Sequence, residues 1–259
     1  MPIRRHTRKR RHRGGSQTLS YKKPTMRAIP LESSVAASLP RSRPAIVIPF
    51  RDDELHERAP QLTEFVAKMN TRNIPIFIIE QSNDGKRFNR GALLNIGVRV
   101  AEAAGATSAI LHDVDLIPTQ VALPYYYCVP IHPVHIGWGW QTKYDYENFL
   151  GGILHLSIRD MYATNGYPNN FFGWGGEDDV LRNRLLKKGI PIWRPTIRGE
   201  TVITELKHTH VGDNPALVNP TKREQVVRDD GRDGIINTQW STLGVVTLAP
   251  NVWKITVEL

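Results

Sequence analysis

Three short apolar runs, Ala45–Ile48, Ile74–Ile79 and Ser108–Leu111, alternate with two stretches of helical spacing, and this order constrains the fold most. Runs this short and this uniformly apolar suit strands covered on both faces. Between the first two, Leu55 to Asn70 sets Leu55, Leu62, Phe65, Val66 and Met69 at helical intervals. Arg90 to Ala104 repeats the pattern with Leu93, Leu94, Ile96, Gly97 and Val100, and Gly105 supplies the stop. A β-α-β-α-β order needs right-handed crossovers and a parallel sheet, an α/β architecture that binds ligands at the carboxyl ends of its strands. Polar clusters fall at those ends: Arg51-Asp52-Asp53, Asn83-Asp84-Gly85 through Arg90, and His112-Asp113-Val114-Asp115. Leu243 to Leu259 predicts two more strands, joined at Ala249-Pro250-Asn251.

Charge is uneven along the chain. The formal net charge is +9, from 34 Lys and Arg against 25 Asp and Glu. Residues 1–31 hold ten of those bases and no acid, leaving a body with 24 against 25 that is close to neutral. Residues 1–40 therefore read as a basic arm and linker, disordered by composition, and 41–259 as the folded domain. The rival from another class is a nucleic-acid-binding protein acting through that arm on phosphates. The arm lacks interleaved aromatics, so its expected role is accessory contact with a non-specific anionic partner. No apolar run reaches the roughly 18–20 residues of a membrane span, and no apolar segment follows the basic start as in a secretory signal. Cys128 is the only cysteine, so no intrachain disulfide forms. A cytoplasmic location is the expectation.

Asp113-Val114-Asp115 directly follows an apolar strand. Side chains two apart on extended backbone share a side, so both carboxylates can face one ligand. Hard carboxylate oxygens suit Mn²⁺ or Mg²⁺; the plain alternative is a polar strand end. His208-Thr209-His210 is a second such pair, and imidazole with carboxylate favours Mn²⁺ over Mg²⁺, against a reading as two surface histidines. His56, His132, His135 and His155 stand alone and read as structural or surface residues. Gly173-Trp174-Gly175-Gly176-Glu177-Asp178-Asp179 precedes a helical stretch ending at Gly189. Acids at a helix start and bases at its end complement the macrodipole whatever the function. That does not account for a tryptophan set among three glycines, which suits a moving loop whose indole stacks on a sugar, with a carboxylate behind it to take a hydroxyl proton.

Together these segments resemble the β-1,4-galactosyltransferases, glycosyltransferase family 7, and most closely the branch that galactosylates xylose in the proteoglycan linkage region. The matching stretches are Ile48–Arg51, Phe88–Gly97, His112–Pro118, Gly151–Leu154, Asn165–Asn170, Gly173–Asp179 and Asp233–Thr238, in family order from about residue 45 to the C-terminus. The resemblance implies a GT-A fold, Rossmann-like and nucleotide-binding with a mostly parallel central sheet. It also implies inverting, Mn²⁺-dependent transfer of galactose from UDP-galactose to a carbohydrate hydroxyl, forming a β-1,4 linkage. By position, Asp115 is the carboxylate ligand of the metal, and His208 and His210 resemble the two-histidine arrangement of the xylose-specific branch. Pro49, Phe50, Arg51, Phe88, Arg90, Asp113, Gly152 and Trp174 correspond to donor contacts, Asp178 to the catalytic base and Glu177 to its neighbour at the sugar. Four features depart from the pattern. Asp53 stands where a second base is common, Phe172 replaces a frequent tryptophan, and Phe149 replaces the tyrosine of galactose-specific members. The sequence also reads without the membrane anchor and disulfides of secretory-pathway members, so a Golgi location does not carry over and the expectation is a compact viral or microbial enzyme with an Arg-rich start. Transfer of N-acetylgalactosamine from its UDP derivative is the alternative activity, and a sugar-binding relative without catalysis is a third reading.

Overall fold

The computed structural model describes residues 42–52, 58–140, 146–196, 198–207 and 214–259; the basic arm lies outside the described residues. Its centre is four parallel strands: β3 (Ser108–His112), β1 (Pro44–Phe50), β2 (Ile76–Gln81) and β9 (Val252–Glu258). Antiparallel neighbours extend both sides: β6 (Ile153–Ser157) and β5 (Val134–His135) beyond β3, and β8 (Ser241–Ala249) beyond β9. The C-terminal pair is the hairpin that the sequence predicts. A separate ribbon pairs β4 (Leu116–Pro118) with β7 (Ile203–Glu205).

The uniformly apolar strands follow from burial on both faces. On β1, Ala45 and Val47 pack into one layer with Leu93, Leu94 and Ile96 of α2 (Arg90–Ala103). Ile46, Ile48 and Phe50 pack into the other, with Leu62, Phe65 and Met69 of α1 (Ala59–Met69). Gly97 is required where α2 crosses the sheet, since a Cβ there would lie 2.1 Å from Val47 Cγ1. Asn89 caps α2, its side chain accepting from the Ala92 amide at 3.0 Å. α1 is described from Ala59, later than the start at Leu55 that periodicity predicts; Asp52 Oδ1 accepts from the amides of Arg58 and Ala59 at 2.7 and 2.9 Å. The remaining helices are α3 (Pro124–Tyr127), α4 (Ile158–Thr164), α5 (Glu177–Lys187) and α6 (Lys222–Arg228). These elements leave the carboxyl ends of β1 and β3 beside the N-termini of α2 and α5. No helix among the described residues is long and apolar enough to cross a membrane.

Candidate active site

A cavity of about 550 Å³ opens at this junction. The end of β1 contributes Pro49, Phe50 and Arg51; the entry to α2 contributes Phe88 and Arg90; the end of β3 contributes Asp113 and Asp115. Gly152 comes from the turn before β6, Trp174 from the loop before α5, and Glu177 and Asp178 from the first turn of α5. Every predicted site residue within the described segments therefore faces one cavity, although they span most of the chain. His208 and His210 lie outside the described residues. The β4–β7 pairing holds the described strand that ends before them beside Asp115, and the Leu206 amide donates to the Asp115 carbonyl at 2.6 Å.

Arg90 organises the acids. Its Nε and Nη2 reach Asp113 Oδ1 at 3.0 and 2.8 Å, and its Nη1 reaches Asp178 Oδ1 at 2.8 Å and Glu177 Oε1 at 3.4 Å. Burial opposes the guanidinium charge, but Asp113, Asp178 and Glu177 outweigh it and hold its pKa well above the ordinary value. The same burial pushes Asp113 up to about 6, with Asp115 and Asp178 adding to the rise and Arg90 opposing it. Glu177 is pushed up to about 7, by burial first and then by Asp178, and its Oε2 is buried without a hydrogen-bond partner among the described residues. Tyr167 donates to Asp178 Oδ1 at 3.3 Å, so that oxygen is held from two directions. Gly151 leaves room for the other: a Cβ there would lie 2.9 Å from Asp178 Oδ2.

Three buried, neutral histidines lie behind the strands and turns that carry the site. Burial lowers His112 to about 4; its Nδ1 donates to the Asp113 carbonyl at 2.7 Å and its Nε2 accepts from Tyr126 at 2.7 Å. His135, lowered by burial to about 3, donates from Nε2 to the Gly151 carbonyl at 2.8 Å. His155, lowered to about 4, donates to the Tyr125 carbonyl, so His135 and His155 are structural, as their isolation in the sequence predicts. The loop glycines have a conformational reason: Gly173, Gly175 and Gly176 have φ of 94, 102 and 97°, a region where side chains are strained. Gly173 also lies against the backbone of 217–219, and Trp174 pairs there, its amide donating to the Leu217 carbonyl at 2.7 Å. Lys222 Nζ sits 4.4 Å from the Trp174 ring centroid.

The cavity also holds residues that the motifs do not mark, including Arg58, Trp140, Tyr146, Lys222 and Arg223. None of these five belongs to a motif; Arg58 stands one residue before α1.

Glu177 makes the pH dependence of stability testable. Its folded pKa of about 7 exceeds the ordinary 4.5, so the native state binds more protons than the unfolded state across that window. Its contribution is full below the unfolded pKa and is lost as pH rises through the folded one. The depressed His112, His135 and His155 act in the opposite sense, gaining stability as pH rises toward 6.5, so the total curve does not isolate Glu177. The melting-temperature difference between Glu177→Gln and the wild-type protein is expected to grow in the variant's favour as pH rises between these values. A pH-independent difference would show that Glu177 is ionised throughout.

Two family descriptions match the chain: "N-terminal region of glycosyl transferase group 7" over residues 23–129 and "N-terminal domain of galactosyltransferase" over 132–209. Xylosylprotein 4-beta-galactosyltransferase of Caenorhabditis elegans is 32% identical over 183 residues, covering 70% of this chain and 63% of the relative. Beta-1,4-galactosyltransferase 7 of Drosophila melanogaster is 32% identical over 209 residues, covering 78% and 63%. Beta-N-acetyl-D-glucosaminide beta-1,4-N-acetylglucosaminyl-transferase of Lymnaea stagnalis is 34% identical over 187 residues, covering 70% and 37%. The chain thus spans about 63% of the length of the first two relatives. The crystal structure of a variant of the Drosophila enzyme, complexed with manganese, UDP-Gal and xylobiose, superposes with a TM-score of 0.71 at 26% identity, covering 84% of this chain and 94% of that one.

Proposed function

The chain belongs to glycosyltransferase family 7, with its GT-A fold, and from that premise we propose that it transfers galactose from UDP-galactose to a carbohydrate hydroxyl with inversion, forming a β-1,4 linkage. The observation that carries this reading is the convergence of Asp113, Asp115, Arg90, Glu177, Asp178 and Trp174 on one cavity at the carboxyl ends of parallel strands. Fold alone would not argue a reaction, but these side chains in this arrangement do.

The donor set suits Mn²⁺. Asp115 presents a carboxylate in the cavity wall, and the backbone leading to His208 and His210 leaves from its side, so these three are the ligands we assign. When bound, the ion neutralises charge developing on the departing diphosphate, so the leaving oxygen needs no proton. The protein's own groups do the rest. Arg90 fixes Asp113 and Asp178 on either side of its guanidinium, and Glu177 is placed to meet the hydroxyls of the donor sugar. Trp174 offers an indole face to the sugar ring. Asp178 accepts the proton of the acceptor hydroxyl as that oxygen attacks the anomeric carbon and the bond to UDP breaks on the opposite face. Enclosure by the 173–176 loop limits attack by water.

The acceptor we assign is a hydroxyl of a xylose-like or other carbohydrate, a reading supported by the xylobiose in the complex of the Drosophila relative. Donor choice turns on Phe149, whose ring packs 5.2 Å from His135 and 5.7 Å from Tyr146 but has no hydroxyl. A screen of UDP-galactose, UDP-N-acetylgalactosamine and UDP-N-acetylglucosamine against xylosides, glucosides and N-acetylglucosaminides with Mn²⁺, measuring released UDP, tests the reading. The expected result is a preference for UDP-galactose, with weaker discrimination against the N-acetylated donors than a tyrosine would give. A higher kcat/KM for an N-acetylated donor would overturn the donor assignment, and acceptor-independent silence with every donor would overturn the activity.

A further inference from the structure

We propose that Arg58 receives the donor's diphosphate; the inference rests on the nucleotide-sugar reading of the cavity. The other cations of the cavity are directed elsewhere. Arg51 turns toward the 83–86 loop, its Nη1 donating to the Lys86 carbonyl at 2.7 Å and its Nη2 to Asn83 Oδ1 at 3.2 Å. Arg90 is surrounded by three carboxylates, whose charge exceeds its own. Lys222 lies over the Trp174 ring, and Arg223 stands exposed on α6. Arg58 differs from all of them. Its side chain is only 12% exposed, and its Nη1 lies 3.0 Å from Asp115 Oδ2.

Asp115 lines the cavity and is the carboxylate we assign to the metal, whose part would be to neutralise the diphosphate. The Arg58 guanidinium, in contact with Asp115 and lining the same cavity, would be within reach of a diphosphate bound there. Its planar fork carries five N–H donors, of which the Asp115 contact uses one, and the fork matches phosphate oxygens. The backbone holds it in place, since the Arg58 and Ala59 amides both donate to Asp52 Oδ1. Arg58 thus balances the Asp115 charge and would supply positive charge to a diphosphate in the cavity.

Titration calorimetry of the full chain with UDP, UMP and uridine, in Mn²⁺, tests this with Arg58→Gln and Arg58→Lys. Arg58→Gln is expected to weaken UDP by about 10-fold or more and uridine by less than about twofold, the scale of a lost charge-assisted hydrogen bond. Arg58→Lys keeps the charge and is expected to recover part of the UDP affinity without the full fork. Equal weakening of UDP and uridine, or no weakening of UDP, in a glutamine variant that still binds uridine would overturn the assignment and leave Arg58 as a partner of Asp115 alone. If glutamine prevents folding, the lysine variant decides, because a lysine protein with an unchanged UDP-to-uridine affinity ratio would equally overturn it. Wild-type protein that fails to bind UDP would instead remove the nucleotide-sugar reading, and this inference with it.

Discussion

Asp178→Asn is expected to lower kcat by about 10²–10⁴-fold, the usual contribution of a general base, while UDP and Mn²⁺ affinities change little. The amide keeps the shape of the carboxylate, so the packing around it is preserved. Oδ1 is already occupied by Arg90 and Tyr167, which leaves Oδ2, beside the space that Gly151 keeps open, as the oxygen for the acceptor's proton. An amide oriented by the same partners cannot take that proton. The helix-macrodipole reading forecasts otherwise. Asp178 lies in the first turn of α5, so neutralising it would cost about 0.3–1 kcal/mol and leave turnover nearly intact. Single-turnover kinetics and a melting curve on this one variant separate the two. Near-normal kcat with a lowered Tm would remove Asp178 as the base, and Glu177 would be the next residue to test.

The sequence made the parallel centre legible because doubly covered strands must be apolar throughout: Ile46 and Val47 face opposite layers, and neither can be polar. The antiparallel margins were less legible. β5 is two residues long, and beside its pairing with β6 the backbones at Gly137 and Gly151 approach closely, a Cβ at Gly137 lying 2.4 Å from the Gly151 carbonyl oxygen, which no local pattern announces. The site was legible where chemistry demands residue type at fixed spacing, as in Asp113 and Asp115. Arg58 and Lys222 were not, because an arginine at a helix start and a lysine on a short helix look alike whether they face solvent or a cavity. Several stretches that match the family are ties rather than chemistry. Asn95 donates to the Tyr167 carbonyl at 2.8 Å, and the Asn169 amide donates to Asp233 Oδ2 at 2.7 Å, joining α2, the Asn-Gly-Tyr-Pro segment and the C-terminal segment. The three loop glycines illustrate the limit of composition: sequence suggested mobility, whereas left-handed φ values and close backbone approach already require glycine.

Arg184→Met is expected to destabilise the protein by about 3–5 kcal/mol, the cost of removing one partner from a buried ion pair. Arg184 sits two turns beyond Glu177 on α5, and its side chain is 4% exposed. Its Nε donates to Asp229 Oδ2 at 3.0 Å and its Nη2 pairs with Asp229 Oδ1. Nη1 donates to the carbonyls of Asn165 and Gly166 at 3.1 and 2.9 Å, and Nη2 to that of Asp233 at 2.7 Å. One guanidinium thus ties the catalytic helix to two distant segments, and methionine, similar in length, fills its volume but satisfies none of these acceptors. At about 2–4 °C per kcal/mol for a domain of this size, the Tm should fall by about 6–20 °C. The second half of the forecast identifies the cause. If an uncompensated Asp229 charge dominates, adding Asp229→Leu should recover a large part of the loss, because two apolar side chains leave no buried charge behind. If the carbonyls dominate, the double variant should be no more stable than Arg184→Met. A Tm within about 2 °C of wild type for the single variant would mean that solvent reaches these acceptors as readily as the guanidinium does, and α5 would owe its position to Val180, Leu181 and Leu185 in the core.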